Sequence, residues 1–257
     1  MPTGFRTVKL VRTVGLLIAA LVLGVPGISR AQFHDLYPGF FQVAQPGVLD
    51  AIVFGGGFGS QDYGSIQEGF QLQQSITPYI GLVGRATGYQ LWVGDDYNNP
   101  LAPNTFQHKQ RLNFGRFQGG LEFALYPGTT LYVLGGADSG DSDATTIEGD
   151  WSSWLFTHTH HPLNFSFSAN HNYENQVTSS EIDLRMVTFS TERYLGTIGA
   201  GGAVYQGGLI SSAGGQGGPD LGIYLRKWAL GVDIQGGYGT AGGFGQLSFI
   251  KQWDFVE

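Results

Sequence analysis

LNFSFSANHNYE, the stretch from Leu163 to Glu174, alternates between two kinds of side chain along its whole length. The odd-numbered positions are mainly apolar, whereas the even-numbered positions are all polar. A period of two is typical of an extended β-strand, because successive side chains of a strand point to opposite faces. Such a strand separates two environments. In a soluble protein these are the core and water, and in a membrane barrel they are lipid and the lumen.

The amino-terminal segment has the three parts of a secretory signal peptide. Three basic residues lie within positions 6–12, and an apolar run of twelve residues, Val14 to Val25, follows them. This run is too short to cross a bilayer as a helix. Ser29 and Ala31 then place small residues where signal peptidase cleaves. We therefore expect residues 1–31 to be removed after Ala31 and the chain to be exported.

The composition restricts the class of protein. Four of the 13 Lys and Arg residues lie in the signal segment and none of the 20 Asp and Glu residues do, so the remaining chain carries 9 basic and 20 acidic residues, net −11. This charge excludes a basic nucleic-acid-binding surface, and we expect no nucleic-acid partner. The chain has no cysteine, 42 glycines, 14% aromatic residues and only 13% charged residues. These values suit an outer-membrane barrel, with a secreted β-sandwich as the alternative.

Alternation recurs in twelve segments after the signal peptide. The predicted strands cover residues 49–59, 66–76, 79–93, 108–125, 129–136, 151–160, 163–174, 180–191, 194–206, 220–226, 229–238 and 244–253. Their connections alternate between short turns, such as Thr77-Pro78 and His161-Pro162, and longer polar loops. Short turns at one rim and long loops at the other are typical of up-and-down barrels, which have an even number of strands. We predict an all-β, transmembrane, antiparallel up-and-down β-barrel of about 12 strands, with 10 as the alternative.

The signal peptide, the alternating strands, the short turns and the aromatic-rich closing segment GQLSFIKQWDFVE (245–257) together resemble a Gram-negative-type, porin-like outer-membrane β-barrel. The resemblance implies a barrel over residues 48–257, preceded by a periplasmic segment or plug at residues 32–47. It also implies outer-membrane lipid, lipopolysaccharide and the barrel-insertion machinery as partners. Barrels of this kind often end on an aromatic residue, whereas here Phe255 is followed by two further residues.

Charged side chains in the middle of a strand are expected to face the lumen, because Arg or Lys facing lipid at the bilayer midplane costs about 2–4 kcal/mol. The alternation selects seven such residues, which would line the lumen and bias which solutes pass. They are Arg85, Arg116, Glu122, Glu181, Asp183, Arg185 and Asp233. The alternative is a ladder of ion pairs that fills the interior. Both stay open, because a barrel of 12 strands lies between the filled barrels of ~8 strands and the wide porins of 16–18.

The predicted outer loops are acidic. Their carboxylates are Asp62, Asp95, Asp96, Asp138, Asp141, Asp143, Glu148, Asp150 and Glu174. Closely spaced carboxylates suit Ca²⁺, but the EF-hand pattern is absent, so a solvated acidic rim is the favoured interpretation. Such a rim would concentrate cations at the mouth of an open pore.

The string THTHH contains the weak candidates for a metal site. His158 and His160 share a face of a predicted strand, but a third ligand is not evident, and we predict neither a metal nor a cofactor. Ser166 or Ser168 near His158, with an acid such as Asp183, would suit a lipid hydrolase. No nucleophile elbow supports that interpretation, and we assign no catalytic residue.

Tyr and Trp residues cluster near the predicted strand ends, where they would form girdles at the two membrane interfaces. They are Tyr79, Tyr89, Trp92, Tyr126, Tyr132, Trp151, Trp154, Tyr173, Tyr194, Trp228, Tyr238 and Trp253.

Three functions follow from this pattern. The first is a passive, narrow, porin-like channel for small solutes. If its acidic mouth is open, this channel would prefer cations. The second is a closed barrel serving as a structural or adhesive surface protein. The third is an outer-membrane lipid hydrolase.

Overall fold

The computed structural model describes residues 48–60, 63–93, 111–126, 128–156, 158–174, 176–207, 212–240 and 242–256. The predicted signal peptide, the predicted segment or plug at 32–47, and the predicted loop acids Asp62, Asp95 and Asp96 lie outside the described residues. Within the described ranges, no helix is long and apolar enough to span a bilayer.

Twelve strands form one closed antiparallel barrel, in which each strand pairs with its neighbours in sequence and β1 pairs with β12. The strands are β1 (Val48–Ser60), β2 (Tyr63–Thr77), β3 (Ile80–Val93), β4 (Arg111–Tyr126), β5 (Thr129–Gly140), β6 (Thr145–Leu155), β7 (Leu163–Asn172), β8 (Val177–Ser190), β9 (Tyr194–Gly207), β10 (Ser212–Leu225), β11 (Leu230–Gly239) and β12 (Gly242–Val256). They are 10 to 16 residues long. A tilted strand crosses a bilayer in about 9–11 residues, so each strand is long enough to span it.

The barrel has two rims. The rim that carries the start of β1 and the end of β12 is called here the terminal rim. It also carries five connections, among them the short 3₁₀ helix Arg226–Trp228 between β10 and β11. The opposite rim, called the loop rim, carries the other six connections, including residues 94–110 between β3 and β4.

The predicted number of strands and their antiparallel order are confirmed. The predicted alternation of long and short connections is largely wrong, because several segments interpreted as loops are strand. β5 and β6 extend into the stretch 137–150 and leave a connection of only 141–144, and β10 begins at Ser212 rather than near 220. Glycine and aspartate are depleted in strands, which favoured the loop interpretation. The hydrogen bonds of a β-ladder join backbone groups, so these residues take part in the strands here.

The sixth strand ends earlier than predicted, which moves two histidines out of the sheet. β6 ends at Leu155, and Phe156 has a positive φ of 56° that leaves the extended region. The Thr159 N–H then donates to the Phe156 carbonyl at 2.9 Å, closing a turn. His158 and His160 are exposed in this connection, so the prediction that they share a strand face is wrong.

The two faces of the barrel differ in polarity. Large apolar side chains such as Leu82, Phe117 and Phe167 are exposed on the outside, whereas polar and charged groups are buried inside. Most of the aromatic residues predicted at strand ends lie on the outer face or at the rims. Tyr89, Tyr132 and Trp154 instead share the inward faces of β3, β5 and β6, so these three are not girdle residues.

Candidate functional site: the barrel lumen

The strand register places all seven of the predicted lumen charges on the inner face of the barrel. Arg85 stands opposite Gln118 on β4, Arg116 opposite Asp138 on β5, and Glu122 opposite Tyr132. On β8, Glu181, Asp183 and Arg185 alternate with Ile182 and Leu184, which are exposed outside. Asp233 on β11 is buried. The structure separates these residues into two groups, one inside β2–β7 and one inside β8–β12.

Arg85 is the centre of the first group. Its guanidinium on β3 reaches over β4 and β5 to two carboxylates of β6, pairing with Glu148 and lying 3.2 Å from Asp150 Oδ2. Its Nε donates to Gln71 Oε1 at 2.8 Å. Gln118 Nε2 also donates to Glu148, at 2.9 Å. The polar groups of these side chains hydrogen-bond to one another. The contacts that Arg85 and Gln118 make with Glu148 join strands that share no backbone hydrogen bonds.

Tyr132 extends this group toward the terminal rim. Its side chain is completely buried, with 0% of its surface exposed. The hydroxyl on β5 donates across β3 and β4 to Gln73 Oε1 on β2 at 3.1 Å. Gln73 in turn accepts from Gln71 at 2.8 Å and donates to Asp50 at 3.3 Å. The inside of β2–β7 is therefore packed with hydrogen-bonded side chains.

Asp138 belongs to the barrel wall and not to a loop. It lies on β5, is buried, and accepts from Arg116 Nε at 2.7 Å and Nη2 at 3.1 Å. Glu148 and Asp150 are likewise strand residues, of which Asp150 is buried and Glu148 is partly buried. The prediction that these three carboxylates form a solvated loop is wrong, because each is needed to neutralise an inward-facing arginine. Asp141 and Asp143 are exposed in the connection between β5 and β6, as expected of loop acids.

Arg185 is the centre of the second group. From β8 it reaches over β9 and β10 to Asp233 on β11, with Nη1 2.7 Å from Oδ2. It also pairs with Asp183, and its Nε lies 3.5 Å from Asp220 Oδ1. One guanidinium therefore faces three carboxylates, and this group carries a net negative charge.

An apolar cluster lies between the second group and the terminal rim. It consists of Ile52, Val187, Leu195, Tyr224, Ala229 and Ile250, with Phe54 and Trp154 packed against it. Every cluster residue on a strand lies in the part of that strand nearest the terminal rim. The cluster is buried because its side chains face the inside of the barrel and pack against one another there.

A cavity of about 210 Å³ lies on the other side of the Arg185 group, toward the loop rim. Its walls come from the loop-rim halves of β1, β2 and β8–β12. The lining side chains are mostly amides and aromatic rings: Phe58, Ser65, Gln67, Glu181, Ala203, Gln216, Gln235, Phe244 and Gln246.

The order of these layers is visible along β8 alone. Passing from the loop rim to the terminal rim, its inward residues are Glu181 in the cavity, Asp183 and Arg185 in the ionic group, and Val187 in the apolar cluster. This half of the lumen thus consists of the polar cavity on the side of the loop rim, an ionic layer next to it and an apolar layer nearest the terminal rim.

The comparisons with known proteins agree with this architecture. No protein-family model matches the sequence, and no curated protein matches it. Among solved structures, an outer-membrane channel from Pseudomonas putida F1 is similar, with a TM-score of 0.57 and 9% identity over 85% of this chain and 100% of that one. The chain has the outer-membrane β-barrel fold.

Two further barrels are similar at lower TM-scores. The KdgM porin has a TM-score of 0.46 at 9% identity, covering 78% of this chain and 98% of its own. LpxR from Salmonella typhimurium has a TM-score of 0.47 at 9% identity, covering 79% and 99%.

The described histidines of this outer-membrane-type barrel lie in the connection between β6 and β7 and on the outer face of β7. Among the described residues, no group of three or more His, Asp or Glu side chains is placed to hold a metal ion. His171 faces outward and contacts Thr178 Oγ1 at 2.9 Å, and His161 Nδ1 contacts the Val187 carbonyl at 2.9 Å. Ser166 faces inward opposite Asp183, away from these histidines.

Sequence reasoning missed several inward-facing groups. Asp50 and Asp220 were not selected, although both lie on strands with alternating faces and are buried. The amides that line the cavity were not selected either, because the search followed charge. Counting inward parity for glutamine as well as for charged residues would have found Gln67 and Gln246, whereas Gln216 lay in a segment predicted as a loop.

Proposed function

We propose that the protein lies in an outer membrane and acts as a narrow, passive channel for small solutes, with a preference for cations. The observation that carries the proposal is the charge of the lumen. Among the strand residues whose side chains the structure describes, the inward faces carry nine carboxylates against three guanidiniums. The carboxylates are Asp50, Glu122, Asp138, Glu148, Asp150, Glu181, Asp183, Asp220 and Asp233, and the guanidiniums are Arg85, Arg116 and Arg185.

An excess of negative charge inside a low-dielectric wall attracts cations and repels anions. The cross-lumen pairs of Arg85 and Arg185 limit the width of the path, because their side chains occupy space that would otherwise be water. The remaining path runs through the cavity, the Arg185 group and the apolar cluster. We expect small conductance steps rather than those of a wide porin.

The test is single-channel conductance of the refolded chain without residues 1–31 in a planar bilayer, after heat-modifiable gel migration has established folding. Under a KCl gradient, the reversal potential is expected to indicate permeation of K⁺ over Cl⁻. Glu181→Gln is expected to weaken this preference, because Glu181 lines the cavity. Glu68→Gln is the matched control, since Glu68 is exposed on the outer face of β2 and its neutralisation should leave the reversal potential unchanged.

A closed barrel with a structural or adhesive role is the second candidate. The apolar cluster favours this closed barrel, because its buried apolar side chains exclude water from the lumen near the terminal rim. A folded barrel that stays silent at all voltages would overturn the channel proposal and favour this second function. An anion preference would also contradict the proposal.

A further inference from the structure

The cavity at the loop rim has unused hydrogen-bonding capacity. Among the residues that the structure describes, the side-chain amides of Gln67, Gln216 and Gln246 make no hydrogen bond to protein. They stand on β2, β10 and β12, so they approach the cavity from different parts of the wall. The Gln235 amide makes one long contact, 3.4 Å to the Gly218 carbonyl. Elsewhere in the lumen, the amides of Gln71, Gln73 and Gln118 are hydrogen-bonded to other side chains.

Each glutamine amide offers two N–H donors and one carbonyl acceptor. A hydroxyl group also donates and accepts, so several amides around one small space match a solute with several adjacent hydroxyls. A carboxylate or phosphate offers acceptors alone and would leave the amide oxygens without donors. The amide lining therefore selects for polyhydroxylated chemistry.

Two aromatic rings complete the wall. Phe58 on β1 and Phe244 on β12 stack with ring centroids 5.5 Å apart and planes 27° apart. The face of an aromatic ring carries partial negative charge, which attracts the weakly positive C–H groups of an aliphatic ring. A sugar ring has such a C–H face between its hydroxyls, and amides beside an aromatic surface satisfy both parts of it.

Charge restricts the class further. Glu181 lines the cavity, and the Arg185 group below it has three carboxylates for one guanidinium. This environment repels an acidic solute and tolerates a neutral or amine-bearing one. The cavity volume of about 210 Å³ is below the roughly 300–1,000 Å³ of typical small-molecule pockets. This small volume suits a solute with a single ring.

We propose that this cavity binds single-ring, neutral or amine-bearing polyhydroxylated solutes of the sugar class. The inference deepens the proposed function, since it names the solute that the channel would select, and it rests on that function for its transport role. Binding at the cavity is a separate property that is measured without conductance.

The test is ligand-observed saturation-transfer NMR on the folded barrel in a detergent without a sugar headgroup. The three probes are glucose, glucosamine and galacturonate, which share a ring and differ in charge. We expect transfer to glucose and glucosamine and little to galacturonate. Gln216→Leu and Gln246→Leu should each weaken binding of glucose at least tenfold. Gln74→Leu is the matched control, because Gln74 is exposed on the outer face of β2.

Absence of transfer to glucose and glucosamine would overturn the inference, as would equal transfer to all three probes. Binding that survives Gln216→Leu and Gln246→Leu in folded variants would also overturn it. Binding by a barrel without conductance would leave the cavity assignment standing and remove the channel. Conductance without binding would do the reverse, so the two proposals fail separately.

Discussion

Arg185 on β8 and Asp233 on β11 are joined by an ion pair over two intervening strands, with Nη1 2.7 Å from Oδ2. Arg85 and Asp150 are related in the same way between β3 and β6, at 3.2 Å. The backbone ladder connects only neighbouring strands. These long side chains therefore join strands that the backbone ladder does not connect. They also occupy part of the lumen and so narrow it.

The Arg185 group should respond unequally to the loss of its members. Arg185→Gln removes the guanidinium of this group and leaves three inward carboxylates facing one another. We therefore expect a loss of about 3–5 kcal/mol in the free energy of unfolding. Asp233→Asn should cost less, because Arg185 keeps Asp183 and Asp220. Urea unfolding in lipid vesicles, followed by tryptophan fluorescence, measures both. Equal losses would contradict the assigned role of Arg185 as the shared partner.

The buried hydroxyl of Tyr132 should contribute measurably to stability. Tyr132→Phe keeps the ring but removes the hydroxyl that donates to Gln73. We expect a loss of about 1–2 kcal/mol in the free energy of unfolding. Tyr238→Phe is the control, since Tyr238 is 75% exposed on the outer face. The same urea titration serves for both variants. If Tyr132→Phe is as stable as the parent, the hydrogen bond across the lumen carries no net stability.

Two adjacent glycines of β5 should differ sharply in their tolerance of alanine. At Gly136 a Cβ would lie 2.1 Å from the Phe117 carbonyl oxygen of β4, whereas at Gly135 no atom lies within 4 Å. We expect Gly136→Ala to separate β4 from β5 locally and reduce the folded fraction in heat-modifiable gel migration. Gly135→Ala should fold like the parent. Similar folded fractions would mean that the sheet adjusts at Gly136 without cost.

The apolar cluster should set the conductance of the second half of the lumen. Ile52→Ala, with its side chain buried at 1% exposure, removes cluster volume at the terminal rim and is expected to increase the conductance severalfold or to open a silent barrel. Leu82→Ala removes a large side chain from the outer face and serves as the control. Planar-bilayer recordings decide the question. Unchanged conductance in a folded Ile52→Ala variant would show that the restriction lies elsewhere.

The predictions from sequence were good where they rested on alternation. A period of two specifies which face each side chain occupies, and inward parity depends only on that period once one face is assigned. This is why twelve strands were found and why Arg85, Glu181 and Asp233 were selected together. The predictions failed where composition was used to end a strand. Asp138 looks like a loop residue beside glycine and serine, yet it lies in β5 because Arg116 opposes it.

The sequence by itself determined that the chain forms alternating strands and which side chains share a face, because these follow from local geometry with a period of two. Only the tertiary structure decided which inward groups meet. Arg85 pairs with Glu148, which is 63 residues away in the sequence, and Arg185 pairs with Asp233, which is 48 residues away. Barrel closure and strand stagger set these pairings, and neither leaves a local trace in the sequence. For the same reason, the cavity lined by amides and aromatic rings forms only when β1, β2 and β8–β12 close around it.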